Sequence, residues 1–243
     1  MHPVLRLYED VLSGADSAVF RLPALPRFIF ITHGAAEIGE HKLNDGEVWQ
    51  GETAVAVKPG KGGVTLWRWE LTRGDQGSTT ANAPGMFTHE KLTAFLETLP
   101  KGELLMRGDS VAFPPGGCAY LHRHQGPGIR CLIEGGIRID THGCSTSYGP
   151  GGAWYETGPD AVFAQAASDR PSRFIRVMIL PRELQGKSSI QYVNEEDKAK
   201  PKSAIKQYDV GTEPPDTIIW MGRWTAGVST ASFDLPTFPG LGG

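Results

Sequence analysis

Thirty-one glycines and eighteen prolines cut this 243-residue chain into segments too short for most helices. Between the breaks Val, Ile, Phe, Trp and Thr dominate, residues whose branched or aromatic side chains suit a pleated, half-buried surface. Gly and Pro both weaken a helix interior, so a chain punctuated this way builds its core from short strands joined by turns. The expected class is all-β, a sandwich or barrel. Strands are expected at Arg27–Thr32, Gly46–Gln50, Thr53–Val57, Val64–Leu71, Leu104–Phe113, Cys118–His124, Ile129–Glu134, Gly136–Asp140, Ala153–Glu156, Ala161–Ala166 and Arg173–Leu180. Turn chemistry at Asn44-Asp45-Gly46, Pro59-Gly60-Lys61-Gly62-Gly63 and Pro150-Gly151-Gly152 separates them.

One helix is expected, from His89 to Thr98. Thr88 is placed to cap it, and Leu92, Phe95, Leu96 and Leu99 recur at helical spacing. It links an N-terminal β block within residues 1–100 to a second block over 101–182. A tail over 183–243 then packs on the blocks, with a solvated charged run at Asn194–Lys202 and a candidate edge strand at Ile218-Ile219-Trp220.

Charge excludes some functions. The 24 basic and 27 acidic residues nearly cancel, and no Lys/Arg cluster interleaves with aromatics, which argues against nucleic acid and anionic membrane as partners. No apolar run approaches membrane-spanning length. Arg6, Glu9 and Asp10 fall where a signal peptide needs its apolar region, so the expected location is the cytoplasm. Cys118, Cys131 and Cys144 are an odd number without CxxC spacing, which fits small core residues better than disulfides or a zinc ribbon.

The chemistry concentrates at Gly116-Gly117-Cys118-Ala119-Tyr120-Leu121-His122-Arg123-His124. Side chains at i and i+2 share a strand face, so the imidazoles of His122 and His124 converge on one point. Two neutral imidazoles make half or more of a transition-metal site if a further ligand arrives from elsewhere. The alternative is a pair of pocket histidines hydrogen-bonded to their neighbours. Strand alternation also turns Cys118 and Tyr120 toward the same face, and places Arg130 and Leu132 on the inner face of the next strand. A buried guanidinium needs a carboxylate, so Arg130 is expected to pair with Glu156 or Asp109, or to receive an anionic substrate group. Tyr120 is a candidate donor to a bound ligand, and Gln125 either orients a ligand or caps the turn.

In the same segment, Gly116, His122, His124 and Gly135 are in register with the first motif of the cupin family, which this second block resembles. Gly149-Pro150-Gly151-Gly152-Ala153-Trp154-Tyr155-Glu156-Thr157-Gly158-Pro159-Asp160-Ala161-Val162 is similar to the second motif. Two of the four customary ligands are replaced: Gly128 stands where the family has glutamate, and Val162 where it has histidine. Glu134 belongs to the turn into the next strand. Glu156 is the candidate replacement, two residues beyond Trp154 and on its face; the other reading is a strand-end carboxylate bonded to a turn or solvated.

The resemblance implies a cupin jelly-roll barrel, the double-stranded β-helix, in each of two blocks. The first is a degenerate half without HxH. There Trp67 and Trp69 are expected to face inward, with Arg68 and Glu70 ion-paired outside. It further implies a divalent transition metal, with Fe(II) favoured over Mn, Ni or Zn, for which His122, His124 and the replacement Glu156 are the expected ligands; the residues around them give an expected pocket including Cys118, Gln125, Leu132 and Trp154. Tyr120 and Arg130 are the candidate catalytic residues. The implied activity is dioxygenase-like oxidation of a small, oxygen-bearing metabolite, with a homodimer as the expected assembly. Two alternatives remain: a non-catalytic binding protein, and a metal-independent isomerase or epimerase using His122 or His124 as base.

Overall fold

A computed structural model describes residues 2–14, 19–73 and 79–200, with the backbone of 217–226. The chain divides into two compact units, Met1–Glu97 and Thr98–Phe233. The fold is all-β, with no α-helix among the described residues. Among the described residues no helix is long and apolar enough to cross a membrane.

The first unit contains β1 (Pro3–Leu12), β2 (Phe20–Leu22), β3 (Arg27–Ile38), β4 (His41–Asn44), β5 (Val48–Gly51), β6 (Val55–Arg73), β7 (Asn82–Ala83) and β8 (Met86–Phe95). They form one antiparallel sheet in the order β4-β3-β6-β1-β8-β7, with β2 on β6 and β5 on β3. The expected helix is a strand. Residues Met86 to Phe95 pair with β1 along its length, with a bulge at Lys91 between Leu7↔Leu92 and Tyr8↔Glu90. Phe95, expected on a buried helical face, is 61% exposed. β1 offers a row of backbone partners, and that long-range ladder outweighs an apolar spacing that two periodicities can fit. The Pro59–Gly63 turn is also absorbed: the two strands flanking it are one continuous strand, β6, and the register against β3 shifts between Gly34 and Ala36.

The alternation expected around Trp67 is present, but both faces are covered. Trp67 and Trp69 pack with Phe30 and Phe28. Arg68 and Glu70 are wholly buried on the face they share with Leu66, a member of the first unit's core, rather than paired in solvent. Arg68 Nε donates to Asp10 Oδ2 at 2.7 Å and its Nη1 lies 2.7 Å from Glu70 Oε1, which also accepts from Arg27 Nε. Buried charges persist only when paired in this way.

The second unit contains β9 (Gly102–Phe113), β10 (Cys118–His124), β11 (Gly128–Glu134), β12 (Ile137–Thr141), β13 (Cys144–Tyr148), β14 (Ala153–Glu156), β15 (Val162–Ala166), β16 (Ser172–Pro181), β17 (Ile190–Tyr192) and β18 (Thr217–Ala226). Two five-stranded antiparallel sheets result, β13-β12-β15-β10-β17 and β14-β11-β16-β9-β18. The Trp220 segment thus joins β9 as an edge strand. The apolar core includes Phe113, Leu132, Ile139, Trp154 and Phe174. None of the cysteines is disulfide-bonded; Cys131 is buried, whereas Cys144 is exposed on β13, contrary to its expected place in a core.

Candidate metal centre

Strands β10, β11 and β14 bring the principal groups together. β10 and β11 belong to different sheets, so His122 and His124 meet Arg130 across the interior rather than along a ladder. His122 and His124 are buried, and their Nε2 atoms lie 3.2 Å apart. Ligand atoms of His122, His124 and Glu156 all fall within 4.8 Å of one another.

The donor set fits a first-row divalent cation. Two imidazole nitrogens, each about 2.1 Å from one ion, stand roughly 3.0–3.4 Å apart in octahedral or tetrahedral geometry. The observed 3.2 Å separation falls inside that range. His122 Nδ1 contacts the Tyr120 carbonyl at 2.7 Å and must donate to it, which leaves the Nε2 lone pair facing the centre. Glu156 is anchored through Oε1, which accepts from Trp154 Nε1 at 2.8 Å. Its Oε2 is buried without a well-formed hydrogen bond, 2.7 Å from Arg130 Nη2 and 3.6 Å from His124 Nε2.

The carboxylate enters beside the position that lacks one. Gly128 of β11 pairs with Glu156 of β14. A Cβ on Gly128 would lie 2.4 Å from the Val177 carbonyl oxygen, so no side chain fits there without moving backbone. Val162 pairs with His122 and belongs to the apolar core.

Below the donors, three guanidinium groups meet two carboxylates. Arg130 pairs with Glu156, whereas Asp109 is engaged by Arg176 Nε at 2.9 Å and Arg107 Nε at 3.2 Å. A cavity of about 60 Å³ opens here, bordered by His122, His124, Arg130, Trp154, Glu156 and Arg176, with Ile190 and Tyr192 from β17, the neighbour of the histidine strand. This is room for several waters or one ligand of a few heavy atoms.

The alternation argument fails for Cys118 and Tyr120. Pairing of β10 with β15 shifts register between Ala119 and His122, and this bulge leaves Ala119 bordering the cavity. Neither Cys118 nor Tyr120 borders it. The Tyr120 ring instead lies under the Lys200 ammonium, 4.8 Å from its centroid, and the Cys118 thiol beside it raises the phenol's pKa. Gln125 is half-buried and also outside the lining, and Leu132 sits in the apolar core. Of the expected pocket residues, Trp154 is the one that borders the cavity. Arg176, Ile190 and Tyr192 were missed. Arg176 carried a signal, since a basic residue interrupting the apolar run from Phe174 to Leu180 invites a functional or paired role.

Burial holds both imidazoles neutral. It lowers the pKa of His122, partly opposed by Glu156, and lowers that of His124 well below its usual value with help from Arg130 and Arg176. Burial also pulls Arg130 down to about 10, against the upward pull of Glu156. The unfolded imidazoles titrate near pH 6.5, so below that pH the unfolded chain binds protons that the folded one does not. Stability is therefore full above about pH 6.5 and declines as the pH falls toward the folded values, by up to about 1.4 kcal/mol per pH unit for each imidazole. Urea unfolding of metal-free protein between pH 7 and 5 reads this slope, and His122→Gln is expected to flatten it.

No protein-family model matches the sequence, and no curated protein matches it either. Solved structures do resemble the fold. A mutant form of Bacillus subtilis oxalate decarboxylase aligns with a TM-score of 0.56 at 10% identity, covering 85% of this chain and 81% of that one. AerE from Microcystis aeruginosa aligns at 0.52 and 13% identity, covering 74% of this chain and 89% of that one. A cupin 2 conserved barrel domain protein from Leptotrichia buccalis aligns at 0.46 and 11% identity over 73% and 84%. At such identities the likeness to the first two is one of fold alone, that of an all-β protein built of antiparallel sheets.

Proposed function

We propose that this cupin-like protein is a mononuclear metalloenzyme that oxidises a small anionic metabolite, with dioxygenase-type chemistry as the leading reaction class. The observation carrying the proposal is the buried convergence of His122, His124 and Glu156 beside a cavity bordered by Arg130 and Arg176. Two imidazoles and one carboxylate leave coordination positions open, the arrangement suited to Fe(II) oxygen chemistry. Manganese is the next choice: the B. subtilis oxalate decarboxylase has Mn(II) centres. When bound, the ion would supply Lewis acidity and a site for oxygen.

The chain's own residues supply the rest. Trp154 fixes one oxygen of Glu156 and Arg130 steadies the other. Among the lining residues Arg130 and Arg176 stand against Glu156, which leaves the lining net positive before any cation enters and favours a carboxylate-bearing substrate. The apolar side chains of Ile139, Ala164 and Phe174 also line the cavity and help to exclude bulk water.

The test uses Fe(II)- or Mn(II)-loaded protein and a panel of short mono- and dicarboxylates with their neutral amides. Calorimetry should give at least about tenfold tighter binding to a carboxylate than to its amide, equivalent to roughly 1.4 kcal/mol. An oxygen electrode should record uptake with the bound carboxylate. Equal binding of amides removes the anionic substrate, and no oxygen uptake across the panel removes the oxidative activity.

A further inference from the structure

The segment between β16 and β17 lies outside both sequence motifs, yet it touches one of the candidate ligands. Ser189 is wholly buried there, and its Oγ lies 3.2 Å from His124 Nδ1. Arg107 Nη2 donates to the same oxygen at 3.2 Å, and Met178 Sδ stands 3.9 Å away on the hydroxyl's donor side. Arg107 Nη1 meanwhile donates to the carbonyls of Leu184 and Lys187, at 3.2 and 2.8 Å, clamping the segment that carries Ser189.

We infer that Ser189, held by Arg107, is the positioning residue for His124, providing the acceptor that allows its Nε2 to serve as a metal donor. The inference rests on the metal-centre reading above. His124 has one ring proton while neutral. With that proton on Nε2, it is shared with His122 Nε2, and the Ser189 hydroxyl donates to Nδ1. For Nε2 to offer its lone pair, the proton must reside on Nδ1, which then needs a buried acceptor. A serine oxygen meets both demands. After the shift it accepts from His124 Nδ1–H and from Arg107, and its own hydrogen turns to Met178 Sδ. The Ser189 hydroxyl and His124 Nδ1 both keep a partner in either arrangement. A side chain that cannot accept there would leave Nδ1–H unpaired and favour the tautomer that does not bind metal.

Ser189→Ala tests this, with Ser188→Ala as a control on the same segment. Equilibrium dialysis with Mn(II) and Zn(II) should show a 10- to 100-fold weaker dissociation constant for Ser189→Ala, the usual effect of losing a ligand's outer partner, and less than twofold for Ser188→Ala. Nitrogen-15 NMR of Zn(II)-loaded wild type should find the His124 proton on Nδ1. Affinity within twofold of wild type in Ser189→Ala, or a loaded His124 protonated on Nε2, overturns the inference. If wild type binds neither ion, the metal reading itself has failed. The serine contact is then judged from the metal-free His124 Nδ1 resonance, which must move in Ser189→Ala if that hydroxyl is its partner. The wild-type spectra decide the tautomer even if the alanine variant does not fold.

Discussion

Tag-free protein loaded with Fe(II) or Mn(II) is expected to hold one ion per chain, and His122→Ala to lose at least about 100-fold in affinity, beyond what loss of an outer partner costs. The reason is geometric. The two Nε2 atoms stand at the spacing one ion requires, so removing either leaves a single imidazole and a carboxylate already engaged by Arg130. Glu156→Gln is the more discriminating variant. It keeps an oxygen for Trp154 Nε1 but leaves Arg130 buried without its counter-ion, a loss expected to destabilise the fold by about 3–5 kcal/mol. Adding Arg130→Met should recover much of that stability and none of the metal binding. Elemental analysis and equilibrium dialysis read the first effect, urea unfolding the second. Full metal stoichiometry in Glu156→Gln would remove the carboxylate from the ligand set; a wild type without metal would end the proposal.

Glu70→Ala is expected to destabilise the first unit by about 3–5 kcal/mol, although the sequence suggests an exposed ion pair worth no more than about 1 kcal/mol. Glu70 Oε1 serves both Arg27 and Arg68, and all three side chains are fully buried. Without it, Arg68 keeps Asp10 but Arg27 loses its carboxylate partner in a medium that screens poorly. Tryptophan fluorescence during urea unfolding reports the loss directly, because Trp67 and Trp69 flank these residues in β6. Glu37→Gln, which breaks the exposed pair with Lys58, is the control and should stay within about 1 kcal/mol. Equal small effects from both substitutions would show that water reaches the network.

These two cases show where sequence reasoning stopped. Alternation identified which residues of β6 share a face, because side-chain direction in a strand is local. It could not tell which face meets the first unit's core, since that depends on Asp10 arriving from β1 and Arg27 from β3. The same limit governs β10. HxH placed the imidazoles side by side, but one bulge before His122 moved Cys118 and Tyr120 off the cavity and put Ala119 on it.

The sequence by itself determined the all-β class, most strand positions in the second unit and the pairing of two imidazoles, each from short-range chemistry: turn residues, two-residue periodicity, and glycine spacing. The candidacy of Glu156 came from the resemblance of its strand to the second cupin motif. Only the tertiary structure decided that residues 86–95 are a strand, that Arg68 and Glu70 are interior, and that Arg176, Ser189 and Tyr192 surround or support the site. Those outcomes depend on partners tens of residues away, and the energy of a buried charge or an unpaired strand edge is settled by what covers it.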